Sequence, residues 1–204
     1  MVMGPFFIFC LVTLFFLSPL SYTEASDLKP AVQIEQAYRY DIQQEPETED
    51  LYLGRLALIF PLTPKLEWRV NDLAVFFEAR HNFNTDRLSR QELGLELSHS
   101  LHRWFQWRES LQQVFLSPGK NVLEIESRLL FDFPLPPSQW NVHLYALEEH
   151  TYAITLGEIT LNEITGGLRL PIKNLAAFWL GWRHVDRVHQ FDSDLLEAGM
   201  DLTF

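Results

Sequence analysis

Polar and apolar residues alternate along most of the chain. In segment 90–101, Leu93, Leu95, Leu97, His99 and Leu101 fall on one face, and Arg90, Glu92, Gly94, Glu96, Ser98 and Ser100 on the other. Successive side chains of a β-strand point to opposite faces, so this segment is a two-faced strand. In 122–133, Leu123, Ile125, Leu129, Phe131 and Phe133 oppose Glu124, Glu126, Arg128 and Asp132. In 31–41, Val32, Ile34, Tyr38 and Tyr40 oppose Gln33, Glu35 and Arg39. The periodicity predicts ten strands, near 31–41, 50–60, 66–82, 90–101, 105–116, 122–133, 140–149, 158–170, 175–186 and 195–204. The alternation changes phase around Asn71-Asp72 and near Asn162. Either point marks a bulge or a tight turn, and eight strands are the alternative count.

The connections fall into two sets. Segments 61–65, 102–104, 134–139 and 171–174 are short and mostly rich in proline. Segments 43–50, 84–90, 117–120, the stretch after Glu149 and 186–194 are more polar. Ten strands place the whole first set at one end, together with both termini. Phe60-Pro61-Leu62 with Trp68, and Phe133-Pro134-Leu135 with Trp140, echo one another across two of these turns. Trp68, Trp104, Trp140, Phe178 and Phe204 lie beside the short turns or the terminus, where an interfacial girdle of aromatic rings is expected.

Composition sharpens this picture. With 16 basic and 27 acidic residues the net charge is −11. A nucleic-acid binder needs a basic footprint, and this chain has none. Residues 1–25 carry one charge, Glu24, and an apolar run from Pro5 to Leu17, followed by small and polar residues. Such a segment reads as a cleaved signal peptide, with cleavage near Ala25 or Ser26 and a single domain over 26–204. No Lys or Arg precedes the run, so an uncleaved anchor is the alternative, although the run falls short of the ~20 apolar residues of a spanning helix. Removing Glu24 changes the net charge from −11 to −10. Cys10, the only cysteine, goes with the leader, which excludes disulfides, thiolate nucleophiles and cysteine-ligated metals from the mature domain. A mature chain without a spanning helix crosses a membrane only as a closed barrel, and most of the segments match the ~9–11 residues of a tilted spanning strand.

The four lysines (Lys29, Lys65, Lys120, Lys173) lie outside the strands, whereas most arginines lie within them. The polar face carries Glu35, Arg39, Arg55, Glu78 and Arg80 in the first three strands. It continues with Arg90, Glu92, Glu96, Arg108, Glu124, Glu126 and Arg128 in the next three, and with Arg169, Arg183, Glu197 and Asp201 toward the end. If the apolar face meets lipid, these charges point into a narrow lumen. There guanidinium forks pair with carboxylates and either fill the barrel or line a conduit for small polar solutes.

The C-terminal segment reads LLEAGMDLTF, with Leu196, Ala198, Met200, Leu202 and Phe204 at alternating positions. It resembles the last strand of bacterial outer-membrane barrels, which ends on Phe. The resemblance implies recognition by the barrel-assembly machinery, an outer-membrane lipid environment and periplasmic termini. Segment 122–204, with LEIESRLLFDF, LYALEEHTY, NEITGGLRLPIKN and FWLGWRHVD, also resembles a family of small outer-membrane barrels known only as a domain of unknown function. That likeness implies the fold and no chemistry. The expected architecture is therefore an all-β, antiparallel up-and-down transmembrane barrel.

Catalytic patterns are sparse. Ser98 and His99 are adjacent in a strand, so they point to opposite faces and cannot act as nucleophile and base. Glu148, Glu149 and His150, with His184, His189, Asp186, Asp192 and Asp194, are candidates for a rim site of protease or divalent-cation type. No Walker loop, zinc spacing or calcium loop occurs, and no cofactor is expected. The expected role is a non-enzymatic barrel, structural or a narrow passage. The alternatives are an outer-membrane enzyme centred on Glu149, His184 and Asp186, and a soluble periplasmic barrel that turns its apolar face inward around a ligand.

Overall fold

The period-two pattern is realised as ten strands: β1 Ala31–Asp41, β2 Leu51–Pro61, β3 Asn71–Asn82, β4 Arg87–His102, β5 Phe105–Leu116, β6 Lys120–Pro134, β7 His143–Ala153, β8 Glu158–Ile172, β9 Ala176–Arg187 and β10 Ser193–Thr203. The structure, a computed structural model, describes residues 29–42, 50–62, 71–116, 119–136, 141–172, 175–188 and 192–204. The expected leader lies outside them, as do Trp68, Trp140 and His189. No helix among the described residues is long and apolar enough to cross a membrane.

Every strand pairs antiparallel with its sequence neighbours, and β1 closes on β10 from Gln33↔Thr203 to Asp41↔Leu195. The seam continues past the strand ends. The Val32 amide donates to the Phe204 carbonyl at 3.0 Å, and the Phe204 amide donates to the Val32 carbonyl at 2.9 Å. Closure leaves no strand edge to template aggregation. An even number of up-and-down strands brings the start of β1 and the end of β10 to one end, the end at which β2, β4, β6 and β8 finish.

Three register shifts interrupt the ladders, between Arg80 and His81, between Ser100 and His102, and between Thr151 and Tyr152. At the last, Thr151 faces Leu161 and Tyr152 faces Ile159, so Thr160 is the extra residue. This bulge, two residues from Asn162, accounts for the phase change there, and β8 continues through it. The break at Asn71-Asp72 coincides with the start of β3. Ten strands form, and the eight-strand alternative is not realised.

Burial reverses the globular rule that apolar side chains lie inside. Leu93, Leu95, Leu101, Leu144, Leu168 and Leu180 are exposed on the outer wall, whereas Glu78, Glu92, Glu96, Glu124 and Glu126 are buried inside. Among the described residues the interior holds a small apolar cluster, Ala57, Ala74 and Phe76 with Ile59 beside it. The Arg55 guanidinium lies 4.0 Å from the Phe76 ring centroid, a cation–π contact that joins this cluster to the charges.

Glycines make room where the wall is thickest. A Cβ on Gly167 would come within 2.3 Å of the Leu180 carbonyl oxygen and 2.9 Å of the Tyr145 ring. One on Gly181 would meet the Tyr145 hydroxyl at 2.3 Å. The Tyr145 ring thus occupies the space left by Gly167 on β8 and Gly181 on β9. Gly167→Ala meets backbone, which cannot swing aside as a side chain can. A loss of about 1–3 kcal/mol in reversible urea unfolding is expected from overpacking.

Candidate functional site

The register decides which charges meet inside. Arg39 sits opposite Glu197, Arg55 opposite Glu78, and Arg128 opposite Glu149. Inward-facing neighbours across a strand pair are close enough to interact, so the sequence spacing builds ion pairs directly.

Four groups result. In the first, on β1 and β8–β10, Arg183 bonds to Glu163 and reaches Glu197 through its Nε at 2.9 Å. Arg39 Nε donates to the same Glu197 carboxylate at 2.6 Å, and Trp179 Nε1 donates to it at 3.2 Å. The second runs over β2–β6. Arg55 holds Glu96 at 2.7 Å, and Arg80 holds Glu78 at 2.9 Å and Glu92 at 3.2 Å. Arg90 joins Glu92 and also Glu124 at 2.6 Å, and Arg108 extends toward Glu96 at 3.8 Å. In the third, Arg128 lies 2.5 Å from Glu126 and 3.0 Å from Glu149. The fourth is nearest the termini, where Arg169 bridges Asp132 at 2.6 Å and Asp201 at 3.1 Å, with His143 Nδ1 2.6 Å from Asp132.

The interior keeps a lower and an upper cavity. The lower, about 120 Å³, is lined by Glu35, Arg108, Arg128, Tyr145, Arg169 and Asp201, among others. Glu35 makes no salt bridge with a described residue. The upper, about 720 Å³, is lined by Arg80, Arg90, Lys120, Glu124, Glu158 and Glu163, among others. Among the described residues Arg39 alone lines both. Between them the packing is tight: Glu78, at the edge of the lower cavity, and Glu92 are each 1% exposed.

Of the sixteen charges read from the sequence, Arg39, Arg55, Glu78, Arg80, Glu92, Glu96, Glu124, Glu126, Arg183 and Glu197 are buried. Glu35, Arg90, Arg108, Arg128, Arg169 and Asp201 are half-buried, and all six line a cavity. The sequence reading missed Glu149 and Glu163, which are buried with them. Each lies in phase with inward neighbours on its own strand, Tyr145 and Thr165 respectively. That phase was the available signal. On β10, Leu196, Ala198 and Phe204 are exposed, and Met200 and Leu202 are half-buried on the same face.

The rim site does not assemble. Glu149 is 3% exposed and faces inward to Arg128, while its neighbours Glu148 and His150 face outward. His184 lies on the outer face, 3.0 Å from Asp194, and Asp186 is exposed beside it. The barrel wall therefore separates Glu149 from His184 and Asp186. Among the described residues, no three His, Cys, Asp or Glu side chains are placed to hold a metal ion. The soluble ligand-binding alternative also fails, because it requires an apolar interior and this one is charged.

Aromatic rings occur at both ends, not only beside the short turns. At the terminal end Trp104 packs on Phe133 at 4.9 Å, and Phe105 stacks on Phe131 at 4.6 Å. At the opposite end Phe83 contacts Tyr38 at 5.7 Å and His81 at 5.3 Å.

No protein-family model matches the chain, so the likeness of 122–204 to an uncharacterised barrel family gains no support from that comparison. No curated protein matches it either. Among solved structures it is similar to the KdgM porin, at 7% identity over 84% of this chain and 99% of that chain, with a TM-score of 0.47. It is also similar to the N-terminal β-barrel domain of Pseudomonas aeruginosa OprF, at 12% identity, 87% and 99% coverage, and a TM-score of 0.35. A third is a loop L8 deletion mutant of OmpT, an outer membrane protein of Vibrio cholerae, at 6% identity, 87% and 99% coverage, and a TM-score of 0.39. At these identities and TM-scores the likeness carries no inference about function.

Proposed function

We propose that this chain is an outer-membrane β-barrel with periplasmic termini, whose interior is sealed by interlocking Arg and Glu side chains. Its role on this reading is structural and not that of an open pore. Support for the membrane environment comes from the largely apolar outer wall, the closed seam and the burial of most strand charges in the interior. A soluble domain of this size would expose apolar patches of only a few hundred Å².

The observation that carries the sealed state is the burial of Glu78 and Glu92, each 1% exposed and ion-paired to Arg80 at mid-barrel. Water in an open channel would reach both carboxylates. In planar bilayers the wild-type protein is therefore expected to give no discrete conductance.

A narrow conduit for small polar solutes is the second reading. It draws on the cavities above and below the seal, both of which Arg39 lines. Arg39→Ala removes the side chain that the two cavities share and so joins them, while Glu197 keeps its bond to Arg183. Discrete openings in Arg39→Ala but not in wild type support the sealed barrel. Openings in the wild type, with ion selectivity altered by Arg39→Ala, support the conduit.

A further inference from the structure

We infer that the upper cavity is a blind binding pocket for an elongated, amphipathic organic monoanion. The inference rests on the sealed interior proposed above and goes beyond it by assigning a ligand class.

At about 720 Å³ the cavity falls within the range of small-molecule sites, about 300–1,000 Å³. Leu156 and Val188 line it and are exposed beyond the ends of β7 and β9, so they mark its mouth. Arg80 also lines it and holds Glu78 and Glu92, the two carboxylates of the mid-barrel seal. A space open at one end and closed at the other suits retention rather than passage.

The lining is of two kinds. Leu51 on β2, Leu161 on β8, Val185 on β9 and Leu195 on β10 supply an aliphatic side against which an apolar body can be buried. On β3–β6 the register sets Arg80, Arg90, Leu116 and Lys120 in one row. The ion-pair groups that reach the lining are balanced in themselves. Arg39 and Arg183 meet Glu163 and Glu197. Arg55, Arg80, Arg90 and Arg108 meet Glu78, Glu92, Glu96 and Glu124. Arg187 and Glu158, both engaged, add one charge of each sign. Lys120 is left over, and no ion pair or hydrogen bond joins it to a described residue. One unspent ammonium calls for one anionic group.

A second polar group is also unspent. Thr151 lines the cavity on β7 beside Leu161, is 2% exposed, and its hydroxyl has no hydrogen-bond partner among the described residues. A buried polar atom left unpaired is costly, so this hydroxyl calls for a polar atom on the ligand. Thr151 sits opposite Glu126, six residues along β6 from Lys120, which is roughly 20 Å of strand. The ligand is therefore elongated, with its anionic end at Lys120, its body on the aliphatic side and an uncharged polar end toward Thr151.

Calorimetric titration of the full-length chain in lipid nanodiscs, with empty nanodiscs subtracted, tests the pocket. The probe is 4′-hydroxybiphenyl-4-carboxylate. Its counterpart with an aminomethyl group in place of the carboxylate puts the opposite charge on the same body. Expected is saturable binding of one carboxylate per barrel, with the ammonium compound weaker by about tenfold or more, the scale of one lost contact to a charged group. Lys120→Glu weakens the carboxylate to a similar extent, whereas Lys29→Glu, at an exposed lysine outside the cavity, leaves it unchanged. No saturable binding, equal binding of the ammonium compound, or the same affinity in Lys120→Glu and Lys29→Glu each overturn the inference. Bilayer recording of the same wild-type protein separates the two possible failures. A silent barrel that does not bind the probe sinks only the pocket, whereas discrete conductance sinks the seal and the blind end with it.

Discussion

Arg183→Ala is expected to destabilise the barrel by about 3–5 kcal/mol, the range for removing one partner of a buried ion pair. Arg183 is buried on β9 and serves two carboxylates, Glu163 and Glu197. Glu197 keeps Arg39 at 2.6 Å, but Glu163 has no other salt bridge among the described residues and is left as a buried bare charge. The loss therefore comes mainly from Glu163. Pairing Arg183→Met with Glu163→Met should recover much of it, because replacing both charges by apolar groups is often near neutral. Arg183→Lys should recover little, because one ammonium cannot present the guanidinium's fork to two carboxylates. Reversible urea unfolding of the refolded barrel, followed by gel mobility and tryptophan fluorescence, measures all three. Equal stability of wild type and Arg183→Ala would mean that water in the upper cavity solvates Glu163, and the cost assigned to its burial would be wrong.

How much of this was legible beforehand depends on what kind of fact each residue represents. A strand of a two-sided barrel states its faces in its own sequence, so the alternation in β4 and β6 gave both the element and its orientation. Strand number followed from the same pattern and from the alternating turns. Bulges were less visible, because one extra residue shifts the phase without announcing which residue it is. The slip seen at Asn162 belongs to Thr160. The same slip left Glu163 without an assigned face. Glu149 was misplaced for a different reason. It sits between Glu148 and His150, and proximity in sequence suggested a common cluster, but adjacent strand residues face opposite sides. Which charges pair was not legible at all, since pairing depends on register and barrel shear. The approach of Arg55 on β2 to Glu96 on β4 crosses a strand and has no local signature.

The outer wall offers the sharpest test of environment, because water and lipid predict opposite results for one substitution. Leu180 on β9 is 60% exposed and lies between Ala198 of β10 and Leu168 of β8. On a soluble protein, Leu180→Arg replaces an exposed apolar side chain by a charged one and falls within about ±0.5 kcal/mol. On a barrel in a bilayer the same arginine faces hydrocarbon near mid-depth and costs about 2–4 kcal/mol, falling to about 0–1 kcal/mol near the interfaces. Leu156→Arg, at the tip of the β7–β8 turn, supplies the shallow comparison, since Leu156 is 62% exposed. The two leucines are equally open to whatever surrounds the barrel, so depth is the variable that separates them. In lipid vesicles, urea unfolding should show Leu180→Arg destabilised well beyond Leu156→Arg. Near-identical small effects at the two sites would place the outer wall in water, and the apolar belt would then need a different partner.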